Sequence, residues 1–309
     1  MKLKKSVKIE VEGKDVNLSY GGYCFRIEGV SDYEQLIDAI NSNKSLRLAL
    51  SDYKFLRSHE VPDKDETIDA IEFYEKHKKF ATTLLNDVYE HEIWKRLVSK
   101  SADRSLIMGF ALEKYHYIEA AHEHMAYAAA NSTSTMMPHL AKHFVEEYTH
   151  GDIYRYGLSS YYSVDQITNS TPLSTTRSLI NTLNEFAMSD SFCYYAANEV
   201  LQLTENVDSE DEGEVGDFYD LLIENNDWVE PLIKSFRAHT ALDQNLGHED
   251  SFLDMCKTEK IISISTANRA LSNTRKIVEH LTIFLDGILD YYSGRFSPLR
   301  SLGSISSRI

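Results

Sequence analysis

The sequence predicts an all-α protein, a bundle of about seven helices preceded by a small α+β module. Three observations carry that prediction. From Asp63 to Gly294 apolar residues recur at helical spacing in long uninterrupted stretches. Only five prolines and 13 glycines punctuate the 309 residues, too few for a turn-rich β fold. Before that region, residues 7–29 alternate polar and apolar positions in the period of a strand.

Taken in order, VKIEVEGKDVNLSYGGYCFRIEG breaks at Gly-Lys-Asp and Gly-Gly, the chemistry of hairpin turns. Ser31 and Asp32 then supply caps for a short helix, DYEQLIDAIN, with Leu36, Ile37 and Ile40 on one face. Residues 1–60 thus form a β-β-α module, either a packing appendage or a recruiting module offering an edge strand to a peptide. The helical unit occupies residues 61–294. Its helical stretches are 65–100, 105–130, 137–162, 175–205, 217–225 with 227–244, and 265–294. Pro138 and Pro231 fall where a first turn tolerates them. The acidic, glycine-containing stretch 205–217 is expected to be a mobile loop, and the serine-rich tail 295–309 to be loosely held.

The bulk chemistry narrows the partners. A net charge of −16 lacks the basic footprint that nucleic acid or an anionic membrane surface requires. Cys24, Cys193 and Cys256 form no CxxC pair, so neither a disulfide framework nor a thiolate zinc site is indicated. No signal-peptide pattern and no membrane-length apolar run are present, so a cytoplasmic setting is expected.

Candidate chemistry concentrates in His139-Leu-Ala-Lys-His143-Phe-Val-Glu146-Glu147-Tyr-Thr-His150. At about 100° per residue, His143, Glu147 and His150 project within an arc of roughly 60°. A Glu and a His three apart on an inward face can both ligate one metal, whereas on a solvated face they form only a helix ion pair. His239 and Asp243, four apart, stack on one face and offer the nitrogen and oxygen donors suited to iron or manganese. Their alternative is a buried His–Asp hydrogen bond. Glu199 lies in a run of small and apolar residues, where a carboxylate needs a partner to offset burial.

The order of these groups, Glu-x-x-His, a lone Glu about 50 residues on, then His-x-x-x-Asp about 40 later, resembles the haem-oxygenase-like diiron oxidases and oxygenases. These share a fold with thiaminase II and pyrroloquinoline quinone synthase. The resemblance spans roughly residues 70–290 and implies a haem-oxygenase-like bundle. It implies one iron held by Glu147, His150 and His239, and a second by Asp243 and His248, with Glu199 bridging. Family members set the last His three residues beyond the Asp, a position filled here by Leu246. His248 would point about 140° away on an unbroken helix, unless Gly247 distorts it.

Two further Glu-x-x-His spacings, Glu113 with His116 and Glu119 with His122, offer rival ligands of ferritin type. Using them would leave His239 and Asp243 without a role. That histidine- and tyrosine-rich helix is instead expected to line the substrate pocket or to hydrogen-bond the ligands, and Tyr194 and Tyr195 to wall the pocket. The substrate-binding candidates are His116 and Tyr195.

The resemblance implies two Fe(II) ions, with manganese as the substitute, and O2 as co-substrate; because the chain carries no flavin or iron–sulfur motif, an external electron donor is expected. It also implies an amino acid, a fatty acid or a peptide residue as substrate within a biosynthetic pathway, and admits a homodimer. Two alternatives stand beside it: a metal-free oxidase or hydrolase using the same histidines as acids and bases, and a scaffold that binds a peptide. No GxGxxG, Walker or GxSxG motif occurs, and no cation neighbours Cys193 in sequence to activate it.

Overall fold

The computed structural model describes residues 7–20, 23–30, 32–42, 46, 50, 66–205, 214–246, 251–294 and 299–300. The chain divides into two compact units, Met1–Glu66 and Thr67–Ile309.

In the first unit β1 (Lys8–Glu12), β2 (Asp15–Tyr20) and β3 (Tyr23–Glu28) form an antiparallel sheet in the order β1-β2-β3. Val11 pairs with Val16, and Leu18 with Phe25. Gly13, at φ 68°, supplies the left-handed residue of the first turn, which a side chain would strain. Helix α1 (Tyr33–Ser42) follows, and Leu36 and Ile40 join Val16, Leu18 and Ile27 in a small core.

The second unit is helical. Asp69 ends β4 (Thr67–Asp69) and caps α2 (Ala70–Tyr89), accepting from the Ile71 and Glu72 amides. Then come α3 (Glu92–Leu97), α4 (Arg104–Glu119), α5 (Ala121–Ala130), α6 (Met137–Glu147) and α7 (His150–Leu158). They are followed by α8 (Val164–Thr168), α9 (Ser174–Ser189), α10 (Ser191–Glu205) and α11 (Glu214–Asn225). The chain ends with α12 (Glu230–Leu246), α13 (Ser251–Glu259), β5 (Ile261–Ser263) and the long α14 (Ile264–Tyr292). β5 pairs antiparallel with β4, which ties the starts of α2 and α14 together.

Four predicted helical stretches are divided. The breaks fall at Glu90–His91, Ala120, Tyr148–Thr149 and Asp190, none a glycine or proline, so periodicity runs through them unmarked. Capping side chains restart two of the helices: His91 accepts from the Ile93 amide and Asp190 from that of Cys193. Helix α11 begins at Glu214, inside the stretch expected to be a loop, and residues 206–213 lie outside the described residues. Two described tail residues are held: Arg300 Nη1 donates to the Pro172 carbonyl at 2.6 Å and Leu299 packs on the core. The rest of the tail lies outside the described residues.

The core joins Leu85, Leu112, Leu183, Val200, Phe252, Ile277 and Ile288 from six helices. Glu113 crosses it as a polar tie: Tyr292 donates to it at 2.5 Å and the Leu173 amide at 3.0 Å, linking α14, α4 and the start of α9. No described helix is long and apolar enough to cross a membrane.

Candidate metal centre

Helices α6, α7 and α12 build the site. α6 ends with Glu147 and α7 begins with His150, so the two side chains flank the Tyr148–Thr149 break. α12 packs along α7 at a glycine: a Cβ on Gly157 would strike the Ser235 side chain and lie 3.3 Å from the Pro231 carbonyl. That approach brings His239 and Asp243 against His150.

One ligand atom from each of Glu147, His150, His239 and Asp243 lies within 4.8 Å of the others, and all four residues are buried. His150 Nδ1 stands 2.9 Å from Glu147 Oε2 and 3.2 Å from Asp243 Oδ1, and His239 Nδ1 stands 3.1 Å from Asp243 Oδ2. The two imidazoles meet edge to face, with centroids 4.9 Å apart.

The donor set fits a divalent ion. Ligands on opposite sides of one transition-metal ion stand roughly 4.2 Å apart, twice a bond of about 2.1 Å. Two buried carboxylates are balanced in charge by one dication, and two oxygens with two imidazole nitrogens suit iron, manganese or zinc.

Surrounding groups brace these four side chains. His143 Nε2 lies 3.3 Å from Glu147 Oε1, while its Nδ1 lies 2.7 Å from the Tyr195 hydroxyl. Burial, with the charge of Glu147 second, pushes the Tyr195 phenol well above its usual range, so it stays a neutral hydroxyl. Tyr154, one turn beyond His150, stacks edge-on against His239 with centroids 5.1 Å apart. On α5, His124 Nδ1 lies 2.6 Å from the Tyr194 hydroxyl. Burial lowers the pKa of His124 to about 3, so its ring is neutral. A cavity of about 20 Å³ adjoins the ligands, its wall including His124, Asn198, Glu147, His239 and Asp243.

The sequence-derived residues are distributed as follows. Glu147, His150, His239 and Asp243 come together. Glu199 is buried but lies outside that group of four, with Tyr74 Oη 3.5 Å from its Oε1. His248 and Gly247 lie outside the described residues. Tyr195 is buried with its hydroxyl on His143 Nδ1. His116 lies 2.9 Å from Ser170 Oγ, and it is absent from the wall of the cavity beside the ligands. Glu113 is taken up by the core tie, which removes it as a ligand. Tyr154 escaped the sequence reading, although extending the His143–Glu147–His150 face by one turn reaches it. Cys193 has Arg269 Nε 3.3 Å from its sulfur, a cation from distant sequence, yet burial pushes its thiol up to about 12. That environment keeps it protonated and unsuited to nucleophilic attack.

No protein-family profile and no curated protein matches the sequence. Solved structures do match. A domain of unknown function from Shewanella denitrificans, described as having a heme oxygenase-like fold, superposes with TM-score 0.59 at 17% identity. The match covers 74% of this chain and 99% of that one. A TenA homologue from Pseudomonas syringae pv. tomato matches with TM-score 0.55 and 12% identity, over 71% of this chain and 93% of its own. The helical unit of this chain has the haem-oxygenase-like fold.

Proposed function

We propose that the helical unit is a non-haem iron enzyme, an oxidase or oxygenase that uses O2 on a small molecule. The observation that carries this reading is the buried group Glu147, His150, His239 and Asp243, with one ligand atom from each within 4.8 Å of the others. These four would hold one ion. A second would draw on Glu199 and His248, and manganese is the natural substitute for iron. A bound ferrous ion would supply the redox chemistry with O2, which no side chain here provides. External electrons complete the balance.

The protein's own part is to bind, orient and keep dry. His143, held through Tyr195, steadies Glu147, and Tyr154 fixes the plane of His239. Complete burial of His150 keeps bulk water from the ligands. A second cavity, of about 130 Å³, is walled by Trp94, Phe110, Lys114, Leu281 and Phe284. It shares Tyr117 and Leu201 with the small cavity beside the ligands. That wall supports a substrate with an apolar body and, opposite Lys114, an anionic group such as a carboxylate.

The first unit favours a peptide variant of this reading. β1 lies at the sheet edge with Ile9 and Val11 exposed, which suits strand addition by a peptide whose residue is the substrate.

The test is O2 uptake by chelator-stripped protein before and after anaerobic Fe(II) loading. Uptake that appears only with iron and disappears in His239→Ala supports the proposal. Turnover that survives chelation unchanged assigns the histidines to metal-free acid–base chemistry instead.

A further inference from the structure

His124 is the one histidine on the wall of the small cavity that does not belong to the group of four. It lies on α5, which carries none of the four and packs against α6, and is 1% exposed. Its two nitrogens differ. Nδ1 is engaged by Tyr194 at 2.6 Å, whereas Nε2 is fully buried with no hydrogen-bond partner among the described residues. Buried polar atoms are rarely left unpaired, and such a group calls for a ligand.

The tautomer follows from Tyr194. This phenol is completely buried, and burial pushes its pKa far above the usual range, so it carries its proton. His124 Nδ1 is its one hydrogen-bond partner among the described residues. A buried hydroxyl without an acceptor is costly, so Tyr194 donates and Nδ1 accepts. A neutral imidazole that accepts at Nδ1 carries its hydrogen on Nε2. The unpartnered nitrogen of this cavity-wall residue is therefore an N–H donor.

The cavity measures about 20 Å³, above the minimum of roughly 10–15 Å³ that lets a cavity admit one water molecule. Its wall already carries two carboxylates, Glu147 and Asp243. Once a dication has neutralised them, an unpartnered N–H of a residue on that wall favours an electron-rich, water-sized ligand.

We infer that His124, its tautomer fixed by Tyr194, donates a hydrogen bond through Nε2–H to the exchangeable, water-sized ligand bound beside Glu147, His239 and Asp243. This rests on the metal-binding reading above and adds to it a residue outside the ion's own ligands. The ligand class is small oxygen species and small anions that accept one hydrogen bond. The two Tyr–His pairs of α10 then divide their work. Tyr195 and His143 serve the ligand Glu147, and Tyr194 and His124 serve what the ion binds.

The experiment uses the full chain loaded with Co(II), whose visible bands report coordination without redox chemistry, and titrates it with fluoride, a water-sized acceptor. His124→Leu is expected to bind Co(II) as the parent does and fluoride about tenfold more weakly, the ratio for one hydrogen bond to an anion. Tyr194→Phe, which keeps His124 but frees its tautomer, is expected to weaken fluoride about threefold. A merely structural His124 would change melting temperature and leave fluoride affinity alone. Fluoride affinity within about twofold of the parent in Co(II)-loaded His124→Leu overturns the inference while leaving the metal reading intact. If His124→Leu does not fold, unchanged affinity in Tyr194→Phe overturns it. Failure of the parent to bind Co(II) overturns the metal reading and this inference with it.

Discussion

Acidification is predicted to destabilise the helical unit from its core, through His77. This residue on α2 is fully buried, its ring between Phe73 and Phe252 and its Nε2 2.7 Å from Thr274 Oγ1. Burial lowers its pKa from 6.5 to about 4. Between those values the unfolded chain takes up a proton that the folded chain refuses. Stability is therefore full above about pH 6.5 and falls as pH drops towards 4. At about pH 5 the unfolded state gains roughly one and a half pKa units, or ~2 kcal/mol. His116, lowered to about 4 mainly by burial and then by Arg177 and Arg300, acts in the same direction. Being less buried, it adds about 1 kcal/mol. A loss of about 3 kcal/mol is large against the roughly 5–15 kcal/mol that holds a domain together. Glu113 works the other way, because its burial-raised pKa lets the folded state keep a proton as pH falls. The assay is therefore a difference, urea midpoints at about pH 7 and pH 5 for the parent and for His77→Gln, which retains a hydrogen bond to Thr274. The variant should lose about 2 kcal/mol less than the parent. Equal losses in the two proteins would refute the assignment of the pH dependence to His77.

Three other outcomes are expected. Gly109→Ala puts a methyl into the ring of Tyr292. Displacing that ring also strains its bond to Glu113, so stability should fall by ~2–4 kcal/mol and the melting temperature by about 4–16 °C; calorimetry showing no change would contradict the α4–α14 packing. Tyr195→Phe removes the hydroxyl 2.7 Å from His143 Nδ1. Metal affinity should drop by about tenfold to a hundredfold with the fold intact, read by competition with a chelating dye. Lys114→Met should leave metal affinity unchanged while weakening retention of anionic amphiphiles, measured by displacement of a fluorescent carboxylate.

The sequence made the helical unit and most of the candidate site legible because both rest on spacing along the chain. His239 and Asp243, four apart on α12, share one face as helical geometry dictates, and Glu147 and His150, three apart, stay neighbours although the Tyr148–Thr149 break falls between them. What the sequence could not convey was set by contacts between distant segments. The contact of the Tyr195 hydroxyl with His143, made across 52 residues from α10 to α6, is one such case. Glu113 with His116 has the same spacing as Glu147 with His150, yet Tyr292 and the Leu173 amide, both far along the chain, turn Glu113 into a structural tie. The short strands β4 and β5 went unseen because each is three residues long and gains its partner from the other end of the unit. The helix breaks at Ala120 and Tyr148–Thr149 left no glycine or proline to mark them.

The central claim is that Glu147, His150, His239 and Asp243 bind a redox-active metal. Anaerobic titration of the chelator-stripped protein with Fe(II), followed by an O2 pulse under stopped-flow absorbance, tests it most directly. The account predicts stoichiometric binding and an O2-dependent absorbance change, both lost in His239→Ala and in Asp243→Ala. Binding no greater than background, with both variants indistinguishable from the parent, would contradict it.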